Sequence, residues 1–400
     1  MNVRSHEPFW LLKNGLLQPY PSLTHSISCE VLIVGGGITG ALMAYSLVQA
    51  GFDTVVIDKR DVGTGSTAAS TAMLQYEIDT ALHQLIPMIG EEGAVRAYES
   101  CRDAIGKVGA LVRTLKSKAG FKRKKSLYLA AVQEDEEFLR NEFDVRRKHG
   151  FKVEWLDRAR LRKRFGLASV AAICSADAAE MDAYRFTHDL FRAAVAKGLR
   201  VFDHVEIQST DYEPNGVRLL TTDLALIKTG KVVYCTGYEA QEMLPEKVVT
   251  LKSTFALVSE PLPKLPDGLQ SILLWDTQRP YLYLRTTDDQ RVLVGGGDEP
   301  FKNAALRDKL IGVKQEMLMS QIRELYPDLG LVPDQVWAGT FGETKDGLPY
   351  IGEHPAFPHS YFALGFGGNG ITFSVTAAEL IRDVLVGKKA SELYWYRFGR

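Results

Sequence analysis

The stretch VLIVGGGITG, Val31 to Gly40, constrains this chain more than any other, because it reads as strand, glycine-rich turn and helix in immediate succession. Gly35, Gly37 and Gly40 carry the G-x-G-x-x-G spacing. The first permits a tight turn, the second lets backbone approach a pyrophosphate, and the third lets the helix lie close to the strand. Amides near Ile38 and Thr39 open that helix, where its dipole favours negative charge. The apolar run Thr54 to Ile57 ends in Asp58, at the right distance to accept a hydrogen bond from a ribose hydroxyl. Strand, helix and acid sit in register, so the segment is expected to bind an ADP moiety.

The 400 residues suffice for a two-domain enzyme with a substantial core. With 48 Lys and Arg against 49 Asp and Glu, the net charge is −1, which gives no electrostatic ground for a nucleic-acid partner. Cys29, Cys101, Cys174 and Cys235 are scattered without C-x-x-C or metal-ligand spacing, and the eight histidines form no H-x-x-H cluster, so no metal is expected. No window reaches the apolar length of a membrane span, and Trp10-Leu11-Leu12 lacks the basic start and long apolar run of a signal peptide. A reduced, cytoplasmic setting without membrane contact is the expectation. Two basic clusters, Arg113 to Lys125 and Arg158 to Arg164, read as solvated surface. Docking on an anionic membrane or an acidic electron-transfer partner is the sharper alternative.

Along the chain, residues 1–27 form a proline-punctuated lead-in expected to pack over the outside of the fold. A glycine- and serine-rich loop, GTGSTAASTAMLQ, spans Gly63 to Gln75. Helices are expected over Glu91–Lys118, Glu134–Lys148 and Thr187–Lys197, and strands over Ser126–Val132, Val201–Ile207, Val217–Thr221, Leu224–Lys228 and KVVYCTG. Tyr281–Arg285 and Arg291–Val294 alternate as strands of a second sheet. VLVGGGDEP, Val292 to Pro300, mimics the first motif but has Asp298 and Glu299 where a third glycine and a helix are needed; it is expected to be a strand and turn. A last helix stops at Gly387.

Taken together, these segments resemble the FAD-dependent D-amino-acid oxidase superfamily, which contains glycine and sarcosine oxidases, from about residue 28 to 400. The resemblance rests on VLIVGGGITG with Asp58-Lys59-Arg60, GTGSTAAS, VVYCTG, and WAGTFGETKDGLPYIG followed by FALGFGGNGITF. It implies an α/β protein: a discontinuous Rossmann-like FAD-binding domain (28–84, 181–245 and 335–400) plus a substrate domain with a mixed or antiparallel β-sheet (85–180 and 246–334). It also implies a set of FAD contacts. These are Gly35, Gly36, Gly37, Ile38, Thr39 and Gly40 with Asp58, Lys59 and Arg60; then Gly65, Ser66 and Thr67 on the diphosphate and ribityl chain. Leu74 and Gln75 would pass beside the isoalloxazine ring, Val205 would meet adenine, and Thr236-Gly237 allow close approach. Gly365, Gly367, Gly368, Asn369 and Gly370, with the helix from Ile371 and Thr372, would face the pyrimidine edge. Some members attach FAD through a cysteine near the segment matching Ala338–Asp346; none stands there, so the expectation is non-covalent FAD.

The family's chemistry moves a hydride from a carbon beside nitrogen, or sometimes oxygen, to the flavin, and oxygen or another acceptor then reoxidises it. Amino-acid oxidases of the group often place an arginine before T-x-D-G-x-P to clamp the substrate carboxylate. This chain has Thr340-Phe341-Gly342-Glu343 there. Arg285 could replace that clamp, or could merely end a surface strand. Tyr76, Glu77, Tyr281 and Tyr283 are the other substrate-side candidates, each open to a purely structural reading. The leading expectation is oxidation of a small amine or N-substituted amino acid, the imine then hydrolysing. Oxidation of a C–OH substrate of hydroxyacid or glycerol-phosphate type is the alternative. Others are a non-catalytic flavin-binding module and, more distantly, an NAD-dependent dehydrogenase.

Overall fold

The computed structural model describes residues 2–400. Two sheets organise them. The first, the nucleotide sheet, runs Tyr350–Glu353, Ser360–Leu364, Leu226–Tyr234, Ile27–Val34, Thr54–Ile57 and Arg200–Phe202. Its strands from Ser360–Leu364 to Arg200–Phe202 are parallel; Tyr350–Glu353 at one edge, and Gly216–Thr221 and Ile207–Glu213 branching from Leu226–Tyr234, pair antiparallel. Parallel strands buried on both faces need continuous apolar runs, which Val31–Ile33 and Val55–Ile57 supply. Helices Ile38–Gln49, Glu91–Thr114, Ala183–Val195 and Gly370–Leu385 cover one face as a single apolar core. The hydroxyls of Thr39 and Ser374, 2.8 Å apart, tie the first of these helices to the last.

The second sheet is mixed. In order it runs Arg4–Ser5, Pro333–Glu343, Thr250–Ser259, Val292–Pro300, Tyr283–Thr286, Ile272–Asp276, Lys122–Leu129, Ala171–Glu180 and Met73–Gln75. All neighbours are antiparallel except Ile272–Asp276 on Lys122–Leu129. Helix Ile311–Leu325 packs over it on its own apolar core.

Several sequence expectations are corrected here. The lead-in is not an outer wrapping: Arg4–Ser5 pairs with Ala338 and Gly339, and Phe9 and Trp10 are buried in a cluster with Tyr184 and Trp337. Helix Thr187–Lys197 begins earlier, at Ala183, because Asp182 caps it by accepting from the Arg185 amide at 2.9 Å. The strand expected over Val201–Ile207 breaks in two around Asp203. Its carboxylate accepts from the Tyr20 and Val62 amides, and the chain leaves the sheet there. The runs Leu224–Lys228 and KVVYCTG are one strand, Leu226–Tyr234, along the whole of Ile27–Val34. VLVGGGDEP is strand throughout, not strand and turn. Met73–Gln75 and Pro333–Glu343 both pair in the second sheet, so the chain returns to the first only after Glu343. Helix Glu91–Thr114, placed on sequence with the substrate domain, packs in the helical layer of the nucleotide sheet.

Candidate active site

A cavity of about 690 Å³ runs without a break from Asp58 at the carboxyl end of the nucleotide sheet to Asp298 on the second sheet. At its first end Gly35 has φ +110°, and a Cβ there would overlap the Cys235 carbonyl. Only glycine permits this close approach of backbone to backbone where the two parallel strands end. Gly40 lies with its Cα against the Gly35 carbonyl, where a Cβ would also collide, so the helix can sit close to its strand. Gly37 is the N-cap and offers no side chain, which leaves the opening turn of helix Ile38–Gln49 to face the cavity. The Ile38 amide donates to the Thr67 hydroxyl at 3.0 Å, drawing the serine- and threonine-rich loop over that turn.

Asp58 accepts from the Gly36 amide at 2.6 Å and the Arg60 amide at 2.8 Å. Burial pushes its carboxyl up, tempered by these two donors. Val205 donates its amide to the Asp58 carbonyl and lines the same end. Lys59 and Arg60 both pair with Glu239, Arg60 through two bonds of 2.9 and 3.1 Å. Naked backbone at a helix start, a ribose-height carboxylate and a rim of paired charges fit the ADP half of FAD.

The middle of the cavity is bounded by Gly65, Ser66, Thr67 and Gln75 and by Phe366 to Thr372. Here the turn differs from expectation in one respect. The Gly368 amide, expected to face the flavin, donates to Asp79 Oδ2 at 2.9 Å. Asn369 donates to the Gln75 and Glu77 carbonyls at 3.1 and 2.8 Å, pinning the segment after Met73. Thr236 and Gly237 reach the cavity as expected, whereas Gly36, Gly40, Leu74 and Gly365 stand behind its wall. Leu74 belongs to the apolar core under the helices.

The far end is walled by Trp275, Tyr281 and Tyr283, with Thr254, Asp79 and Asp298 between them. Tyr281 and Tyr283 therefore face the cavity, their hydroxyls 3.4 Å from Asp79 Oδ1 and 3.5 Å from Thr254 Oγ1. Trp275 stacks on Tyr128 at 3.6 Å and donates to Ser126, which also accepts from Gln75. Burial raises Asp79, and it raises Asp298 to about 6, with the charges of Glu343 and Asp79 adding to the rise against Thr254 and Lys252.

Two substrate candidates fail. Tyr76 turns away from the cavity, stacking on Phe151 at 5.0 Å and donating to Ser175. Arg285 is neither a substrate clamp nor a surface strand end. It is 3 % exposed and donates to the Thr71, Ala72 and Met181 carbonyls while pairing with Glu180 at 3.3 Å. Glu77 touches the cavity, but its Oε1 is committed to Ser175 at 2.7 Å and Arg146 at 3.3 Å. Sequence reasoning missed Asp79, Trp275 and Asp298. The signal for Asp298 was an acid inside an apolar strand, set aside because it ruled out a nucleotide. Among the described residues no group of His, Cys, Asp and Glu could hold a metal, and no helix is long and apolar enough to cross a membrane.

With this geometry in view, comparison with known proteins is informative. The family profile described as DAO, FAD dependent oxidoreductase, matches residues 30–384. Glycine oxidase of Geobacillus kaustophilus is 24 % identical over 379 residues, covering 90 % of this chain and 94 % of its own. Gamma-glutamylputrescine oxidoreductase of Escherichia coli is 24 % identical over 402 residues, covering 92 % and 86 %. Among solved structures, L-proline dehydrogenase from P. horikoshii superposes with a TM-score of 0.77 at 20 % identity, over 95 % of this chain and 97 % of that one.

Proposed function

Because the chain belongs to the DAO family of FAD-dependent oxidoreductases, we propose that it oxidises a C–N bond of a small amine, with FAD held without a covalent link. The non-catalytic module and the NAD-dependent dehydrogenase give way to that membership. FAD, when bound, supplies the hydride acceptor.

One observation carries the choice of amine over hydroxyacid or glycerol-phosphate. The cationic side chains lining the cavity are Lys59 and Arg60, both at the nucleotide end and both paired with Glu239. At the other end the charged groups facing inward are carboxylates. A substrate carboxylate or phosphate would be desolvated there among carboxylates with no cation in the lining to meet it, at a cost of several kcal/mol. An ammonium would find one. The names of the curated relatives, glycine oxidase and gamma-glutamylputrescine oxidoreductase, point to nitrogen substrates as well.

The chain's residues then divide the work. Trp275, Tyr281 and Tyr283 exclude water and hold the alkyl part of the substrate. An amine must be neutral before its carbon hydrogen can leave as hydride, so a proton acceptor is needed beside the turn Gly367–Asn369. Asp79, fixed there by Gly368 and raised by burial, takes that proton at Oδ1. The imine left behind hydrolyses in water without further help.

The test is anaerobic titration of the FAD-loaded protein, following the flavin band near ~450 nm. Primary and secondary amines are expected to bleach it, and 2-hydroxyacids and glycerol phosphate to leave it unchanged. The opposite pattern would overturn the assignment. The speed of recovery on readmitting air separates oxidase from dehydrogenase.

A further inference from the structure

Strand Val292–Pro300 carries a one-residue bulge just where it meets the cavity. Glu299 pairs with Ser253 and Gly296 with Phe255, so Thr254 alone faces both Gly297 and Asp298. Gly297 takes φ +67° to accommodate the extra residue. The bulge brings Asp298 and Thr254 to the cavity wall together. Of the Asp298 carboxylate, Oδ1 is buried and has no hydrogen-bond partner. Thr254 meets the carboxylate on one side, but a buried Oδ1 left without a donor costs stability, so its partner is to be sought in what the cavity binds.

The surroundings specify the partner's charge. Asp79 lies close enough to Asp298 to raise it, and Glu343 adds to the same field. Lys252, the nearest cation on that side, is paired with Glu343 at 2.6 Å. Arg279 stands outside the lining, its guanidinium 5.6 Å from the Tyr281 ring centre, where its charge bears on Asp79 and Tyr281 and is not among the groups that bear on Asp298. The rings of Tyr281, Tyr283 and Trp275 add electron-rich faces, which attract cations held between them.

Resting on the amine reading above, we infer that the substrate is a dication: one amine is oxidised beside Asp79, and a second cationic group, ammonium or guanidinium, is held by Asp298 and the tyrosine wall. The class is that of diamines and polyamines rather than of simple amino acids, whose carboxylate would meet Asp298.

Two measurements on the FAD-loaded protein test this. In steady-state kinetics, α,ω-diamines of graded length are compared with the matching monoamines and ω-amino acids. A diamine of the right length is expected to show a KM roughly ten- to a hundredfold below that of its monoamine, with kcat little changed, and the ω-amino acid to be poorest. Asp298→Asn should collapse the diamine preference. Independently of turnover, calorimetric titration with an α,ω-bis-guanidine, which resists oxidation, should give binding roughly tenfold or more tighter than the mono-guanidine, and Asp298→Asn should erase the difference. Monoamines or ω-amino acids that serve as well as diamines would overturn the inference while leaving amine oxidation intact. Failure of every amine to bleach the flavin, with bis-guanidine selectivity preserved, would overturn the amine reading and leave the dication site standing. Equal binding of the two guanidines in the unaltered protein would overturn the dication site even if Asp298→Asn cannot be folded.

Discussion

Arg146 shows how much of this site's order depends on single side chains away from the substrate. Fully buried, it bonds Glu142 at 2.6 Å and Glu77 at 3.3 Å, while Glu142 also accepts from the Leu82 and His83 amides. Burial alone would raise Glu142, yet Arg146, His83 and these amides hold it down at about 2. A carboxyl whose folded value lies below its unfolded one contributes stability that is complete above pH ~4.5 and lost as pH falls toward ~2, here of order 3 kcal/mol. Arg146→Met strands two buried carboxylates and should cost roughly 3–5 kcal/mol at neutral pH. In the variant Glu142 has lost the guanidinium that held it down and takes up its proton more readily, so the gap to the unaltered protein should narrow as pH falls from 7 to 3. Denaturant melts across that range check it; a gap independent of pH would show that the ion pair is not its source. The same residue scale explains what sequence could not show. Tyr76 and Glu77 are adjacent and polar enough for a site, but which one faces the cavity depends on how Asn369 pins their backbone. Arg285 looked like a clamp because a basic residue on an apolar strand usually means a ligand or an exposed end. Three backbone carbonyls from distant segments are a third possibility that no local pattern reveals.

At the scale of elements, the local units were the legible ones. Strand Ile27–Val34, helix Ile38–Gln49 and Asp58 follow from glycine spacing and apolar runs, because their geometry is decided within thirty or so residues. Helix Gly370–Leu385 and its stop before Gly387 were legible for the same reason, whereas the short helix Leu393–Tyr396 beyond it was not. Strand Val292–Pro300 was legible only in its first half: alternation cannot be read across a bulge, and Asp298 owes its position to that bulge. The strand–helix contact also makes a sharp prediction. A Cβ at Gly40 would overlap the Gly35 carbonyl, backbone against backbone, with no flexible side chain to give way. Gly40→Ala should therefore cost roughly 1–3 kcal/mol and reduce FAD content, whereas Gly312→Ala, where the backbone is helical and a Cβ meets nothing, should retain full FAD. The absorbance ratio of flavin to protein after purification reads this directly.

On the scale of the whole molecule, the cavity lies between two sheets with largely separate cores, so anything that fills it joins them. The two-sheet α/β architecture was readable from the order of motifs; the membership of individual strands was not, because it depends on pairings between segments far apart in sequence. A ligand that binds only the folded state stabilises it by about 2.7 kcal/mol at one hundred times its Kd. Stripping FAD should thus lower Tm by several degrees and broaden or split the melt as the sheets lose their common occupant. With FAD held non-covalently, as proposed, acid precipitation should release the flavin quantitatively into the supernatant. Colour retained in the pellet would refute that.

The short strand Arg4–Ser5 closes the outer edge of the second sheet by pairing with Pro333–Glu343. Its partners, Ala338 and Gly339, lie far along the chain, so this pairing is among the last contacts to form. Until then that sheet has an unpaired border able to recruit a neighbouring polypeptide. Loss of Arg4–Ser5 would leave that border open for good, and Arg400 holds the far side of the chain in the same way, pairing with Asp346 at 2.8 Å and donating to the Leu348 carbonyl.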